Sequence, residues 1–448
     1  MFRFLSEHPR SRFFLCNRVW VFAALFFLIF ASFSRAESIN TLSTGATVSG
    51  TYTDNPTSSR NNVGSDFYSE FTPWLHYRLE RKKSQLGISY DPSLRYYFSE
   101  QDYFLGHNLG IDAAYQPQQH LSTRFSNSFR VSEDAYDTSE PVFTRTEEGL
   151  VIEDPTLRTG RRTYYSNNLR QSLLYQFGPS NEVNLDYTFG LLENDDPTLE
   201  DNLHHGPGID ISYWWNADYG TELGGTYTRG EYSNDSPSVD EWTATARLIR
   251  RLNPHLNIFL EHNETYVRYE HQDADQRDNE IFDANLGVDY GLSETTFLTL
   301  KAGYFYEQAE GEDSVSGFQI NGDMARQFKK GSVRLSGGTG TEQNLFGAEN
   351  LGFTRYYRAN VAGEYRFTKL CNGNTSFQYQ LNTYEADGRD DTTYTWNNGI
   401  HYLIRPWLTA TLSYVYRMVN STDIEYDYTE NRVSFSLSFT PTRPFRLD

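Results

Sequence analysis

From Asn431 to Thr440 the chain reads NRVSFSLSFT. Val433, Phe435, Leu437 and Phe439 fall on one face, and Ser434, Ser436 and Ser438 on the other. That strict period of two belongs to an extended strand with one greasy and one wet face. Alternation alone fits any half-buried antiparallel sheet. Recurrence narrows the choice, because units of about fifteen residues repeat the pattern from Ser43 to the C-terminus. Clear examples are Val183-Leu185-Tyr187-Phe189 against Asn184, Asp186 and Thr188, and Phe377-Tyr379-Leu381 against Gln378, Gln380 and Asn382. A sheet repeated that often, apolar on one face, most simply closes into a barrel in lipid, where no backbone edge is left unpaired. The stretch 431–440 is then expected to seal the cylinder against the first strand.

The N-terminus reads as export machinery. Arg3, Arg10, Arg12 and Arg18 precede an apolar core from Val19 to Phe30, and Ser34-Arg35-Ala36 offers a small-x-small cleavage site. Residues 1–36 are therefore expected to be a secretory signal peptide and 37–448 the barrel; an uncleaved anchor is the alternative. The core is shorter than the ~20 residues of a spanning helix. Cys16 lies before that core, on the wrong side for a lipoprotein cleavage box. Cleavage leaves Cys371 alone, so no intrachain disulfide can form. The formal charge of −20, less five arginines and one glutamate in the signal, becomes −24. Such an acidic chain is a poor match for nucleic acid, whose phosphates call for a basic surface.

Mean hydropathy is negative, and no apolar run after the signal could form a transmembrane helix. Yet 33 Tyr and 31 Phe make the chain far too aromatic for disorder. A barrel reconciles the two, since alternate strand residues face water and aromatic girdles mark both interfaces.

Tight turns are expected around 81–84, 116–118, 178–181, 216–218, 253–254, 293–294, 329–331, 369–374 and 405–406, where Gly, Pro, Asn and Lys cluster. Longer acidic connections alternate with them, at 133–160, 193–201, 270–280, 307–313 and 385–391. Short turns at one end and long acidic loops at the other are what an outer-membrane barrel of a Gram-negative bacterium predicts. Nine tight hairpins plus a first and a last strand give a single closed antiparallel transmembrane β-barrel of about 20 strands, with 18–22 as the range. An even count puts both termini on the periplasmic side. The first strand starts too soon after the cleavage site for an N-terminal plug domain.

Gly50-Thr51-Tyr52-Thr53-Asp54-Asn55 ends the first strand with a Tyr-x-Asp-Asn signature. Ser65-Asp66-Phe67, Thr72-Pro73-x-Leu75-x-Tyr77 and Leu86-x-Ile88-x-Tyr90 follow. Together these resemble outer-membrane β-barrel porins of the porin 2 type, often associated with exopolysaccharide export systems. The resemblance extends over essentially the whole mature chain, and it implies a polysaccharide as the exported solute. The chain departs from most outer-membrane barrels in continuing from Pro441 to Asp448 beyond Phe439, with Phe445 as a second candidate for the terminal aromatic.

Candidate pore-lining residues are the polar partners of the apolar stripes: Arg95, Arg124, Arg130, Asp186, Arg247, Arg358, Glu364 and Arg366. Charge costs little against a water-filled bore, and rings of charge there set ion preference. The loop 133–160 is long enough to fold inward, with Leu150-Val151-Ile152 as its apolar anchor. Catalytic patterns are weak. His204 and His205, being adjacent on a strand, point to opposite faces and cannot share a metal. No Gly-x-Ser-x-Gly elbow and no Cys-x-x-Cys-His haem site occur. Neither enzymatic activity nor a metal or cofactor is expected.

The expected function is an outer-membrane, porin-like channel for passage or export of hydrophilic solutes, polysaccharide among them. The alternatives are a sheath around a multihaem electron carrier and a non-conducting surface scaffold or adhesin. Expected partners are outer-membrane lipid and lipopolysaccharide, the barrel assembly machinery and polysaccharide-export components.

Overall fold

A computed structural model describes residues 39–447, apart from 61–63, 134–143, 147–148, 152–160, 198, 234–235, 272–276, 346–351 and 385–387. The export segment 1–36 and most of the loop 133–160 lie outside the described residues, Ile152 among them. Within that loop, Thr144–Thr146 pairs with Gly149–Val151 as a short hairpin of its own.

Period-two sequence becomes strand throughout. The first staves are β1 (Ile39–Thr53), β2 (Asp66–Arg81), β3 (Ser84–Tyr90 and Ser93–Tyr97), β4 (Asp102–Gln118) and β5 (Leu121–Ser132). Next come β6 (Tyr164–Gln176), β7 (Glu182–Asn194), β8 (Asn202–Trp214), β9 (Tyr219–Tyr232) and β10 (Val239–Asn253). They are followed by β11 (Leu256–Tyr269), β12 (Asn279–Ser293), β13 (Thr296–Ala309), β14 (Val315–Phe328) and β15 (Gly331–Asn344). The last are β16 (Gly352–Arg366), β17 (Cys371–Tyr384), β18 (Asp390–Arg405), β19 (Leu408–Ser421) and β20 (Tyr428–Phe439).

The sheet contains 22 strand segments. Two of them form β3, whose pairing with β2 keeps one register across Asp91 and Pro92; a proline lacks the ladder N–H but need not shift the register. A third, Phe445–Leu447, continues β20 after a break and pairs with Asn40 to Leu42 of β1. That leaves twenty antiparallel staves, each bonded to the next. β20 closes on β1, with Phe439 opposite Ala46 and Arg432 opposite Thr53. The stretch 431–440 thus seals the cylinder. The aromatic end of that stave is split between Phe439 and Phe445.

Nine short turns lie at the end that holds both termini, and ten connections lie at the other. Most of the ten are longer, while 98–101, 310–314 and 385–389 are no longer than the turn 177–181. The acidic segments fall at the long-connection end. Two turns move. Residues 116–118 stay in β4, which runs to Gln118, and the chain reverses at 119–120 after a register shift between Tyr115 and Gln118. The turn expected at 369–374 falls at 367–370, because Cys371 to Asn374 already belong to β17, where Asn372 lies opposite Arg366 and Asn374 opposite Glu364. Strands of 12 to 17 residues exceed the ~9–11 that cross a bilayer. Their upper ends therefore project on the loop side.

One face of the sheet carries the apolar rows, with Phe318 84% and Leu286 66% exposed. A lipid-facing wall tolerates such exposure; a wet one does not. The other face carries hydroxyls. At the closing seam Thr47 meets Ser438 at 3.0 Å and Thr51 meets Ser434 at 2.8 Å.

The inner face is not polar throughout. Near the loop end Val239, Val267 and Tyr269 pack with Leu345 and Tyr232, and Ile281, Phe305 and Phe353 pack with Val315. Apolar side chains were expected to turn toward lipid at every step. Above the hydrocarbon that rule lapses, because Leu345 of the 345–351 connection folds over the strand ends and buries them from water.

Candidate functional site

The inner wall is built by cross-strand register. Turns at 215–218 and 254–255 place Glu222 of β9 opposite Arg247 of β10, and Arg247 opposite Glu261 of β11. The Arg247 guanidinium donates to Asp289 Oδ2 at 2.9 Å and to Glu222 Oε2 at 3.4 Å. It lies 3.6 Å above the Phe259 ring. Phe259 can turn inward because the residue it covers is Gly287, where a Cβ would stand 2.1 Å from the ring. Lys301 donates to Glu261 at 2.9 Å, and Thr299 to Asp289 at 2.9 Å. Further round, Arg334 forms a two-pronged pair with Asp323, at 2.9 and 3.1 Å. Arg358 is paired with Glu342.

The expected pore-lining residues share this face but form no single cluster. They are spread around the circumference and from one rim to the other. Arg124 is exposed near the short-turn end of β5, with no hydrogen bond or ion pair among the described residues. Arg130, higher on β5, is half-buried. Asp186 lies against Gly208 of β8. Glu364 and Arg366 are exposed at the short-turn end of β16, where Ser332 donates to Glu364 at 3.1 Å. His204 turns inward over Gly190, and His205 pairs with Phe189 on the lipid row. Among the described residues no group of His, Cys, Asp or Glu could hold a metal ion.

Arg95 differs from the rest. It is packed at the loop-side mouth, donating to Tyr97 Oη at 3.0 Å and pairing with Glu70 at 3.3 Å. Tyr97 donates to Glu133 at 2.5 Å, and the Arg161 guanidinium lies 3.6 Å above the Tyr97 ring. Desolvation works against the charge of Arg161; Tyr97, Glu133 and Glu100 outweigh it and hold its pKa above the ordinary value. The two ends of the 133–161 connection are thereby tied to the wall.

Beside this cluster sits the Tyr52-Thr53-Asp54-Asn55 signature, and its role is closure. Asp54 accepts from the backbone N–H and side-chain amide of Asn431 at 2.7 and 2.8 Å. Asn55, 1% exposed, donates to the carbonyls of Ser59 and Thr429 at 2.9 and 3.1 Å. Thr53 donates to Glu430 at 3.0 Å, and Arg432 holds the same carboxylate at 2.7 Å. The motif clasps the first stave to the last. Sequence reading missed the partners Glu222, Glu261, Asp289, Lys301 and Glu342. Folding each hairpin about its turn would have placed Glu222 and Glu261 beside Arg247.

The family model described as Putative beta-barrel porin 2 matches residues 217–440. No curated protein matches the chain. Among solved structures, the FrpB iron transporter from Neisseria meningitidis is similar with a TM-score of 0.55 and 7% identity, over 89% of this chain and 82% of that one. The copper transporter OprC is similar with a TM-score of 0.50 and 9% identity, over 91% and 81%. OpdK of Pseudomonas aeruginosa, solved with vanillate, gives a TM-score of 0.41 and 11% identity, over 89% and 99%. At such identities the likeness is one of fold alone.

Proposed function

The chain belongs to the Putative beta-barrel porin 2 family of outer-membrane channels, and from that premise we propose that it passes hydrophilic solutes, polyhydroxylated solutes of the polysaccharide class above all. The observation that carries this reading is an uncharged arc on the inner wall. From β17 through β20 to β1, the inward rows at mid-height hold Ser376, Asn397, Thr411, Ser413, Ser436 and Ser49 and no charged side chain. His401 bridges Asn374 and Thr411 there, at 3.0 Å each. Across the bore, the guanidinium and ammonium groups of Arg247, Lys301, Arg334 and Arg358 are each matched by a carboxylate. Such a wall offers hydrogen bonds without a strong net field, which suits a neutral, hydroxyl-rich chain better than a small ion. On this reading its partners are outer-membrane lipid and lipopolysaccharide, the assembly machinery and polysaccharide-export components.

Single-channel recording of the purified protein in a planar bilayer tests the proposal. We expect steady conductance in potassium chloride and reversible, length-dependent block by neutral oligosaccharides. A silent bilayer would favour the scaffold alternative, and conductance indifferent to every oligosaccharide tried would remove this solute class.

A further inference from the structure

The outer wall of β8 to β12 departs from the rest of the lipid-facing surface. Gly225 of β9 lies opposite Ala244 of β10, and Ala246 and Ala284 flank His262 of β11. Gly225 and Ala244 line a groove of about 520 Å³, walled by Pro207 and Ile209. Tyr227, Trp242 and Tyr266 roof it on the loop side, their rings following one another at 5.3 and 5.6 Å. Glu264 lines the groove, one outward step below Tyr266.

Two polar groups matter at the groove itself, one lining it and one just below it. Glu264 makes no hydrogen bond or ion pair among the described residues. His262 lies one outward step further toward the short-turn end. Its Nδ1 donates to the Asp283 carbonyl at 2.8 Å, and its ring stacks on Phe282 at 6.5 Å. Nε2 makes no hydrogen bond among the described residues. A bare charge on a lipid-facing strand costs about 2–4 kcal/mol at the bilayer midplane for Arg or Lys, less for a carboxylate, and less again toward the interface. A carboxylate under an aromatic roof is best kept there by something that pairs it.

We propose that a second copy of this chain docks in the groove, about a two-fold axis along the membrane normal, so that His262 Nε2 of each copy meets the Glu264 carboxylate of the other. A two-fold interface uses one patch on both copies, so that patch must carry both members of every pair. This one does, on adjacent outward positions of one strand. Gly225 and Ala244 let two walls approach closely, as small residues do between packed membrane helices. An acyl chain would fill the groove but leave both polar groups unpaired. The inference does not depend on which solute crosses the bore.

Cysteine cross-linking of the full chain in native outer membranes tests it, with Cys371→Ser removing the native thiol. Under oxidation, Ala244→Cys should give a disulfide-linked dimer, and Leu75→Cys on the outer face of β2 should stay monomeric. Adding Glu264→Gln or His262→Ala to Ala244→Cys should lower dimer yield about tenfold, equivalent to roughly 1.4 kcal/mol. The exchange Glu264→His with His262→Glu should restore it. The proposal is overturned by a folded, heat-modifiable Ala244→Cys barrel that stays monomeric. It is equally overturned by cross-linking as efficient at Leu75→Cys, or by a monomer that retains lipopolysaccharide in the groove.

Discussion

Arg124 and Arg247 face the same bore from strands with the same alternation, yet they obey different physics. Arg124 stands exposed near the short-turn rim with no partner among the described residues. Arg247 is held mid-wall between Asp289 and Glu222 and lies on the Phe259 ring. The rim arginine keeps its hydration and acts only through its field. The mid-wall arginine has exchanged water for carboxylates and a ring, so its removal strands charges that the fold has already desolvated. Facing the lumen does not by itself say whether a charge serves selectivity or stability; its neighbours decide.

The largest test of that contrast is Arg247→Ala. It should destabilise the barrel by about 1–3 kcal/mol, a moderate figure because Glu222 and Asp289 remain partly wet. The readout is the temperature at which the folded, fast-migrating band is lost on a semi-native gel. Arg247→Lys should recover part of the loss, since it keeps the charge without the planar fork. An unchanged melting temperature for Arg247→Ala would break the comparison.

The clasp at the mouth extends the contrast to an uncharged group. Asn55→Ala leaves the Ser59 and Thr429 carbonyls without their amide donor and should cost about 1–2 kcal/mol in the same assay. Phe259→Leu comes next, at about 1 kcal/mol, because the ring's share is mainly its attraction for the Arg247 guanidinium. Stability equal to wild type would mean that the carboxylates alone hold Arg247. Arg124→Ala should change stability least, within about 0.5 kcal/mol. Its effect should appear in the reversal potential across a salt gradient, shifted toward cations near 0.1 M and vanishing near 1 M as the Debye length falls from about 10 to 3 Å. A shift that survives high salt would mean that Arg124 contacts the permeating ion directly.

How much of this was legible before folding varies with the range of the interaction. The oily and hydroxyl rows of 431–440 follow from the backbone's own period, and each turn from the residues within it. The Tyr-x-Asp-Asn signature was visible, but its purpose was not, because Asp54 and Asn431 meet only when the cylinder closes. The sequence reading counted Arg95 among the inward residues, yet its burial depends on Tyr68 and Glu70 from the neighbouring strand β2, Tyr97 two residues along its own strand, and Glu133 just beyond the end of β5. Phe259 breaks alternation, and the explanation is Gly287 on the next stave.

The amino-acid order alone therefore determined the staves, their two faces, their approximate number and which end carries the acid. Those properties repeat every two residues or sit within one turn, so a local reading reaches them. The folded barrel alone decided which inward charges are paired, which aromatics fill space beside a glycine, how the first stave is clasped to the last and where the outer wall hollows beneath Trp242. Each of these depends on side chains from neighbouring or closing strands, and only the register of the closed sheet brings them within reach.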